Sequence, residues 1–319
     1  MAMRAARGVG VGAALLLATA CDAVAEPEAA IDWRDVQPNG FQLNGFQLNG
    51  FQLNGFQLNG PDLSGDYIKV LQVDLKGSGT ATQTWLVGSQ LFAQSSKKNA
   101  ILSGTSLEKS EIVYDVQDGA AGKHNKTVRI KNVSLAAPGS DIWVYDVDLK
   151  IDSGGWQSLC VDHNGVATEA ILLESVWDPE SGSRATEAPA TAVTFACRDA
   201  ALAKCVEFGY RPWASVGGLS LRDHHEACTR MLRADYCGEG LPHTVNGTPI
   251  HVLDAVGIQN VDPKVQYVVE AEWGPDGAVC LNSANTRHPN QALACDIPAC
   301  GASFSSGGLL QSGKVLAGL

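Results

Sequence analysis

The sequence has no surplus of positive charge. Its 23 Lys and Arg stand against 34 Asp and Glu, for a formal net charge of −11. No basic run occurs after the first few residues, which excludes a nucleic-acid partner, because neutralising phosphate needs Lys and Arg gathered on one face. No apolar run reaches the roughly 20 residues that a membrane-spanning helix requires. No C-x-x-C pair occurs, and no cysteine spacing is that of a zinc ribbon or finger. There is no G-x-S-x-G elbow, no second His after His225-Glu226 to complete a zincin, and no glycine-rich phosphate loop. Ser106 and Lys109 fit S-x-x-K, but the companion motifs are missing. No cofactor is expected.

What is present begins with an export signal. Arg4 and Arg7 precede an apolar run from Val9 to Ala20, the layout of a secretory leader. The run ends in Leu17-Ala18-Thr19-Ala20-Cys21, which resembles a bacterial lipobox. That resemblance implies that Cys21 carries a diacylglyceryl thioether and begins the mature protein. Ala23-Val24-Ala25 offers ordinary signal peptidase an alternative cut. The expectation is a signal peptide over 1–20, then a lipidated Cys21 with an Ala-, Pro- and acid-rich linker over 21–38. The protein is then secreted to the bacterial cell envelope, as an outer-membrane or cell-surface lipoprotein whose membrane partner is reached through Cys21.

The other eight cysteines are Cys160, Cys197, Cys205, Cys228, Cys237, Cys280, Cys295 and Cys300. An even set in an exported chain reads as up to four disulfides, which leaves no free thiol for nucleophilic chemistry. Eight residues along a helix separate Cα atoms by about 12 Å, beyond the roughly 7 Å limit of a disulfide. Cys197 and Cys205 therefore take different partners, and so do Cys228 and Cys237.

Between linker and cysteines, the phrase NGFQL is written four times from Asn39 onward. In a helix a period of five spirals the phenylalanines around every side, and in a strand it sends them to alternate faces. A chain that turns a corner every five residues lines them up, and the segment resembles a pentapeptide-repeat square solenoid. Phe41, Phe46, Phe51 and Phe56 depart from that pattern by filling a slot usually held by a small residue, while Pro61 to Gly65 fits it. Four units make about one coil, too little to bury itself. Residues 39–65 are expected to be a stalk or a cap.

Residues 66–177 read as a β-rich region. From Asp141 to Asp152, Val147, Leu149 and Ile151 alternate with Asp146, Asp148, Lys150 and Asp152, a half-buried strand with a solvated carboxylate face in preference to a calcium site. A Pro/Ser/Ala loop follows over 178–192. Over 193–300, one helix aligns Cys197, Ala201, Cys205 and Phe208. A second runs from an N-cap at Ser220, with Asp223 as capping partner, to a C-cap at Gly238, burying Ala227, Cys228, Met231 and Leu232. Tyr267–Trp273 and Ala278–Cys280 form a hairpin, and 301–319 reads as a flexible tail. The expected class is α+β: a β-rich N-terminal region followed by a disulfide-stabilised region with two short helices and a β-hairpin.

The runs ACRDAALAKCVEFGYRPW (196–213) and HHEACTRMLRADYCGEG (224–240) resemble the bacterial ADYC domain, whose tetrapeptide stands here as Ala234-Asp235-Tyr236-Cys237. The likeness extends loosely from Gly155-Trp156 to Cys280. It implies an architecture and an envelope location, and no particular reaction.

The densest chemistry is Asp223-His224-His225-Glu226, with Cys228 close by. His224, His225 and Glu226 are the candidate acid–base set, and His225, His243 and His251 the candidate metal ligands. Helix spacing favours blander roles. Glu226 is placed to form a surface ladder with Arg222 and Arg230, Asp223 is placed to cap, and His224 lies beside the buried stripe, leaving His225 freer. Tyr210, Trp213 and Tyr236, with Trp156 and Trp273, offer an aromatic platform for sugar or peptide, although core packing is their commoner use. Arg233 and Asp235, with Arg230, are candidate exposed recognition residues. The function expected is non-enzymatic binding or scaffolding of an envelope or extracellular ligand. The rival is an envelope hydrolase or metal-dependent enzyme using His224, His225 or His251. If the repeat is a stalk, deleting two NGFQL units leaves the urea unfolding midpoint unchanged; a lowered midpoint identifies a cap.

Overall fold

Alternation of apolar and polar side chains makes antiparallel strands the commonest regular element among the described residues. A computed structural model describes residues 41–43, 67–118, 122–151, 153–162, 165–177, 182–185, 192–244, 248–261, 266–287 and 292–316. The export signal, Cys21, the linker, the repeat apart from Phe41–Leu43, and most of the 178–192 loop lie outside these residues. In chain order the first half comprises β1 (Phe41–Leu43), β2 (Tyr67–Asp74), β3 (Ala81–Val87), β4 (Gln90–Ser95) and β5 (Ile101–Ser103). It continues with β6 (Glu111–Asp118), β7 (Gly122–Leu135), β8 (Trp143–Lys150), β9 (Trp156–Ser158), β10 (Ala170–Glu174) and β11 (Val193–Cys197). Two helices follow, α1 (Ala201–Glu207) and α2 (Arg222–Arg233), with β12 (Ser215–Val216) and β13 (Leu219–Ser220) between them. The last strands are β14 (Thr248–Asp254), β15 (Gln266–Gly274), β16 (Gly277–Leu281) and β17 (Leu310–Leu316).

Two sheets carry the body. The larger has the order β11-β10-β8-β7-β6-β2, with β9 beside β8. Val128 and Ile130 point into its core, and a bulge between Ile130 and Asn132 resets the pleat so that Val133 points inward as well. The opposite face is a cross-strand ion ladder. Arg129 reaches Asp148 at 2.7 Å, Lys131 lies 3.1 Å from Asp146 and 3.3 Å from Asp148, and the Arg129 guanidinium rests 4.3 Å over the Trp156 ring. Asp148 is therefore buried rather than solvated, because Arg129 and Lys131 both lean onto it from the neighbouring strand. The second sheet has the order β1-β14-β17-β15-β16. The first FQL triplet thus lies antiparallel against β14, with Phe41 opposite Ile250. A third small sheet, β3-β4-β5, is separate from both.

The expected α+β class does not hold. Among the described residues the fold is β-rich, built of antiparallel sheets with only two α-helices. The later part of the chain contributes four of the five strands of the second sheet, where a lone hairpin was expected. The expected flexible tail contains β17, which pairs with β14 on one side and β15 on the other. Its middle, Gln311-Ser312-Gly313, lacks apolar alternation, yet Gln311 and Ser312 are buried. They can be buried because Gln311 donates to Glu272 at 2.9 Å and Ser312 to Glu270 at 2.8 Å. The loop at 178–192 is no boundary either, since β11 after it pairs with β10 before it.

Helix α2 is shorter than expected. Its N-cap is Leu221 with no side-chain cap, and it stops at Ala234, whose backbone is left-handed at φ 52°. Asp223 lies exposed in the first turn, where its charge favours the helix dipole without capping it. α1 and α2 pack together and are joined by Cys205–Cys228. The other disulfides are Cys160–Cys197, Cys237–Cys295 and Cys280–Cys300, so neither Cys197 and Cys205 nor Cys228 and Cys237 pair with each other. A chain ending at Gly308 lacks the strand between β14 and β15. It is expected to lose cooperative urea unfolding and near-ultraviolet circular dichroism, whereas removal of a mere tail leaves both intact.

Candidate functional site

The most densely interacting polar groups lie where α2 stops. Ala234 in the left-handed region turns the chain back under its own helix, with Ala234 N donating to Met231 O at 3.1 Å and Asp235 N to Arg230 O at 3.0 Å. Asp235 is then buried beneath two arginines. Its Oδ2 accepts from Arg230 Nη1 at 2.5 Å and from Gly240 N at 2.9 Å, and its Oδ1 from Glu239 N at 3.1 Å. Arg230 also donates to Pro275 O at 3.0 Å and to Ser183 Oγ at 2.7 Å. One guanidinium thus joins the helix, the β15–β16 turn and the loop before β11. Arg233 donates to Gly240 O and lies 3.7 Å from Asp235. Burial lowers its pKa to about 10 against the opposing pull of Asp235.

The remaining signature residues are fastened in the same way. The Tyr236 hydroxyl donates to Glu270 Oε1 at 2.7 Å, and its ring stacks 5.3 Å from Trp273 and 5.9 Å from His243. Cys237 is bonded to Cys295. At Gly238, φ is 70° and any Cβ would overlap the Asp276 carbonyl, so only glycine lets the two turns meet. Glu270, on β15, is gripped by Arg287 through Nη2 at 2.8 Å, Nε at 2.9 Å and backbone N at 2.9 Å. Arg287 Nη1 returns to Met231 O on α2 at 3.0 Å. Burial alone would raise the Glu270 carboxyl. The Arg287 charge and the hydrogen bonds from Arg287 and Tyr236 prevail and hold its pKa down at about 2.

The candidate acid–base residues do not form a cleft. Glu226 is buried and accepts from Trp177 Nε1 at 2.7 Å and from Arg184 N at 3.3 Å, in place of the expected surface ladder. Arg222 is exposed, and Arg230 has turned to Asp235. His225, expected to be the freer histidine, is fully buried with Nε2 3.0 Å from Leu202 O. His224 is buried against Tyr210, and that burial lowers its pKa. Tyr210 itself donates to Asp254 at 2.7 Å, a carboxylate that also accepts four backbone N–H groups from Val256 to Gln259. His243 stands on the loop after α2, and His251 is half-buried on β14 opposite Gly313. Among the described residues no three His, Cys, Asp or Glu side chains are grouped to hold a metal ion.

Arg230, Arg233 and Asp235, the candidate exposed recognition residues, are buried, as are Tyr210, Tyr236 and Trp273 of the aromatic platform; Trp156 and Trp213 are half-buried. Helix spacing suggested solvent for the charged three, but the chain turning back after Ala234 brings Asp235, Glu239 and Gly240 against them, and Arg230 also reaches Pro275 and Ser183. Glu270, Arg287 and Asp254 escaped sequence reasoning. The signal for the first was two glutamates inside an apolar strand, which demand a buried cation. Ser106 of the S-x-x-K match receives Ser103 N at 2.9 Å and donates to Ser103 O at 2.6 Å, serving a turn. Because the native Glu270 pKa lies below the ordinary 4.5, its stabilisation is complete above about pH 4.5 and is lost as pH falls toward 2. Glu270→Gln is expected to flatten that acid limb in urea titrations across pH 2–5. It should also cost about 3–5 kcal/mol at neutral pH, by leaving Arg287 buried and unpaired.

No curated protein and no solved structure matches this chain. The ADYC domain matches residues 104–287. That span starts well before the two runs that carried the resemblance and ends on Arg287, the partner of Glu270. It takes in most of the larger sheet, both helices, the signature turn and the β15–β16 hairpin. With more than half of the sequence inside the match, and with each signature residue found at work in the network just described, the chain belongs to the ADYC domain family.

Proposed function

We propose that this is a non-enzymatic binding or scaffold protein of the bacterial cell surface, exported by its leader and held by lipid at Cys21. The observation that carries this reading is the inward use of its chemistry. His225 is fully buried against Leu202 O, Glu226 is bound to Trp177, and Arg230 and Arg233 are turned onto Asp235 beneath α2. General acid–base catalysis needs such groups within hydrogen-bond reach of a substrate. Here they meet other parts of the chain, and their work is to stiffen a scaffold. Four disulfides suit an oxidising compartment. The net charge of −11 favours partners that are neutral or cationic.

Purified protein is expected to hold no stoichiometric zinc, iron or manganese by mass spectrometry, and to capture a defined component from solubilised envelope fractions. His225→Ala is expected to lower stability by about 1–3 kcal/mol through the lost contact with Leu202, while leaving that capture intact. Stoichiometric metal that disappears in His225→Ala overturns the reading in favour of a metal-dependent enzyme.

A further inference from the structure

A cavity of about 80 Å³ lies between the larger sheet and the small β3-β4-β5 sheet that covers it. Ile112, Leu172 and Phe195 form its floor, from strands β6, β10 and β11. Leu86 and Leu91, opposite each other on β3 and β4, form its roof, and Trp85 borders it from the same strand as Leu86. Floor residues are fully buried, whereas Trp85 and Leu86 are half-buried, so the cavity reaches solvent through its roof edge. At that edge stand the Thr84 side chain and the exposed carboxylate of Glu174. Among the described residues Glu174 is the only ionisable one lining the cavity, and it makes no ion pair there.

The cavity is preformed. Leu91 N is held by the Tyr145 hydroxyl at 2.8 Å, and Ser89 Oγ accepts from Trp143 N at 2.7 Å, which pins the β3–β4 turn to β8. At the opposite end, Leu75 N donates to Gly79 O at 2.8 Å, and Asp74 bridges to Thr80. On the outer face of the small sheet Trp85 is stacked on Phe92 with centroids 5.6 Å apart, which stiffens the β3–β4 pair above the chamber. A rigid roof spares the ordering cost that a mobile one adds to binding.

We propose that this cavity binds a small alkyl ammonium group. The alkyl part fills the apolar chamber and the positive end sits at the mouth against Glu174. The size selects the alkyl part: an apolar cavity of about 150 Å³ takes benzene, and one about half as large takes a short branched chain. The floor and roof side chains Ile112, Leu172, Phe195, Leu86 and Leu91 are apolar, so transfer from water drives entry at about 0.8 kcal/mol per buried methylene. The lone carboxylate among the lining side chains selects the charge. Such a group occurs on free amines and on peptide chains whose amino terminus is an aliphatic residue. This inference rests on the binding reading above and gives it a location and a ligand class.

Calorimetric titration of the full chain with 3-methylbutylamine, with 3-methylbutanol, and with a short peptide beginning in leucine tests it. The amine is expected to bind and the alcohol to bind at least tenfold more weakly; a peptide tighter than the amine identifies a peptide source. Glu174→Gln, at an exposed site, is expected to weaken the amine at least tenfold and leave the alcohol unchanged. Ala192→Leu places a larger side chain in the chamber and is expected to abolish both. Absence of amine binding to the natural sequence, or equal binding by Glu174→Gln, overturns the proposal. If Ala192→Leu still captures the envelope component, the cavity is excluded as its site while the binding reading stands. If the natural chain captures nothing but binds the amine, the binding reading fails and the cavity assignment stands.

Discussion

The buried pair of Glu270 and Arg287 is the constraint around which the second half of the protein is arranged. A carboxylate and a guanidinium removed from water together lose several kcal/mol of hydration each, and only near-complete hydrogen bonding recovers it. Here the recovery comes from three layers at once: Arg287 itself, Tyr236 of the signature turn, and Ser312 of the central strand. Arg287 in turn caps a carbonyl of α2. If any layer shifts, a charge is left uncompensated in an apolar surrounding. The tetrapeptide that names the family is intelligible in these terms. Alanine stops the helix, aspartate pairs with Arg230 and attracts Arg233 in its last turn, tyrosine donates to Glu270, and cysteine welds the turn to Cys295.

The protein thereby divides its labour. Groups that could do chemistry face inward around α2, while the apolar chamber with a solvent-reaching edge lies under the β3-β4-β5 sheet, far along the chain from the signature. The disulfides fall entirely within the part after Leu159, and the ion ladder of Arg129, Lys131, Asp146 and Asp148 supports the larger sheet on its own outer face.

The legibility of the sequence followed the range of its interactions. Strands of the larger sheet were legible because Val147 and Leu149 alternate with Asp146 and Asp148, a period of two visible within one segment. The buried stripe of α2 was legible from its own helical spacing. Cys197 and Cys205 take different partners as expected, but not because one helix holds them apart: Cys197 ends β11, and only Cys205 lies on α1. The end of α2 was not legible, because glycine is the usual left-handed stop and Gly238 drew the boundary away from Ala234. Nor was the burial of Glu226, Arg230 and Arg233. Spacing along the helix suggested mutual ion pairs in solvent, while their true partners, Trp177, Ser183 and Asp235, come from other turns of the chain. β17 was hidden because its centre is polar, and polar residues enter a core only when distant partners satisfy them. The chamber under β3–β5 left no trace at all, since its walls come from six strands whose apolar residues look like ordinary core.

The position of β17 between β14 and β15 has a consequence for how the molecule is made. A chain leaving a ribosome or a translocation pore presents its strands in order. The larger sheet is complete once β11 has emerged, because none of its strands awaits a later one. The second sheet is different: β14 and β15 have no shared edge, and the strand that joins them arrives only after the hairpin and the stretch carrying Cys295 and Cys300. Until then Glu270 lacks Ser312, and both strands expose unpaired edges to any neighbour. The Cys237–Cys295 and Cys280–Cys300 links can close before that strand arrives, holding the unfinished half together during the interval when it is most exposed to aggregation.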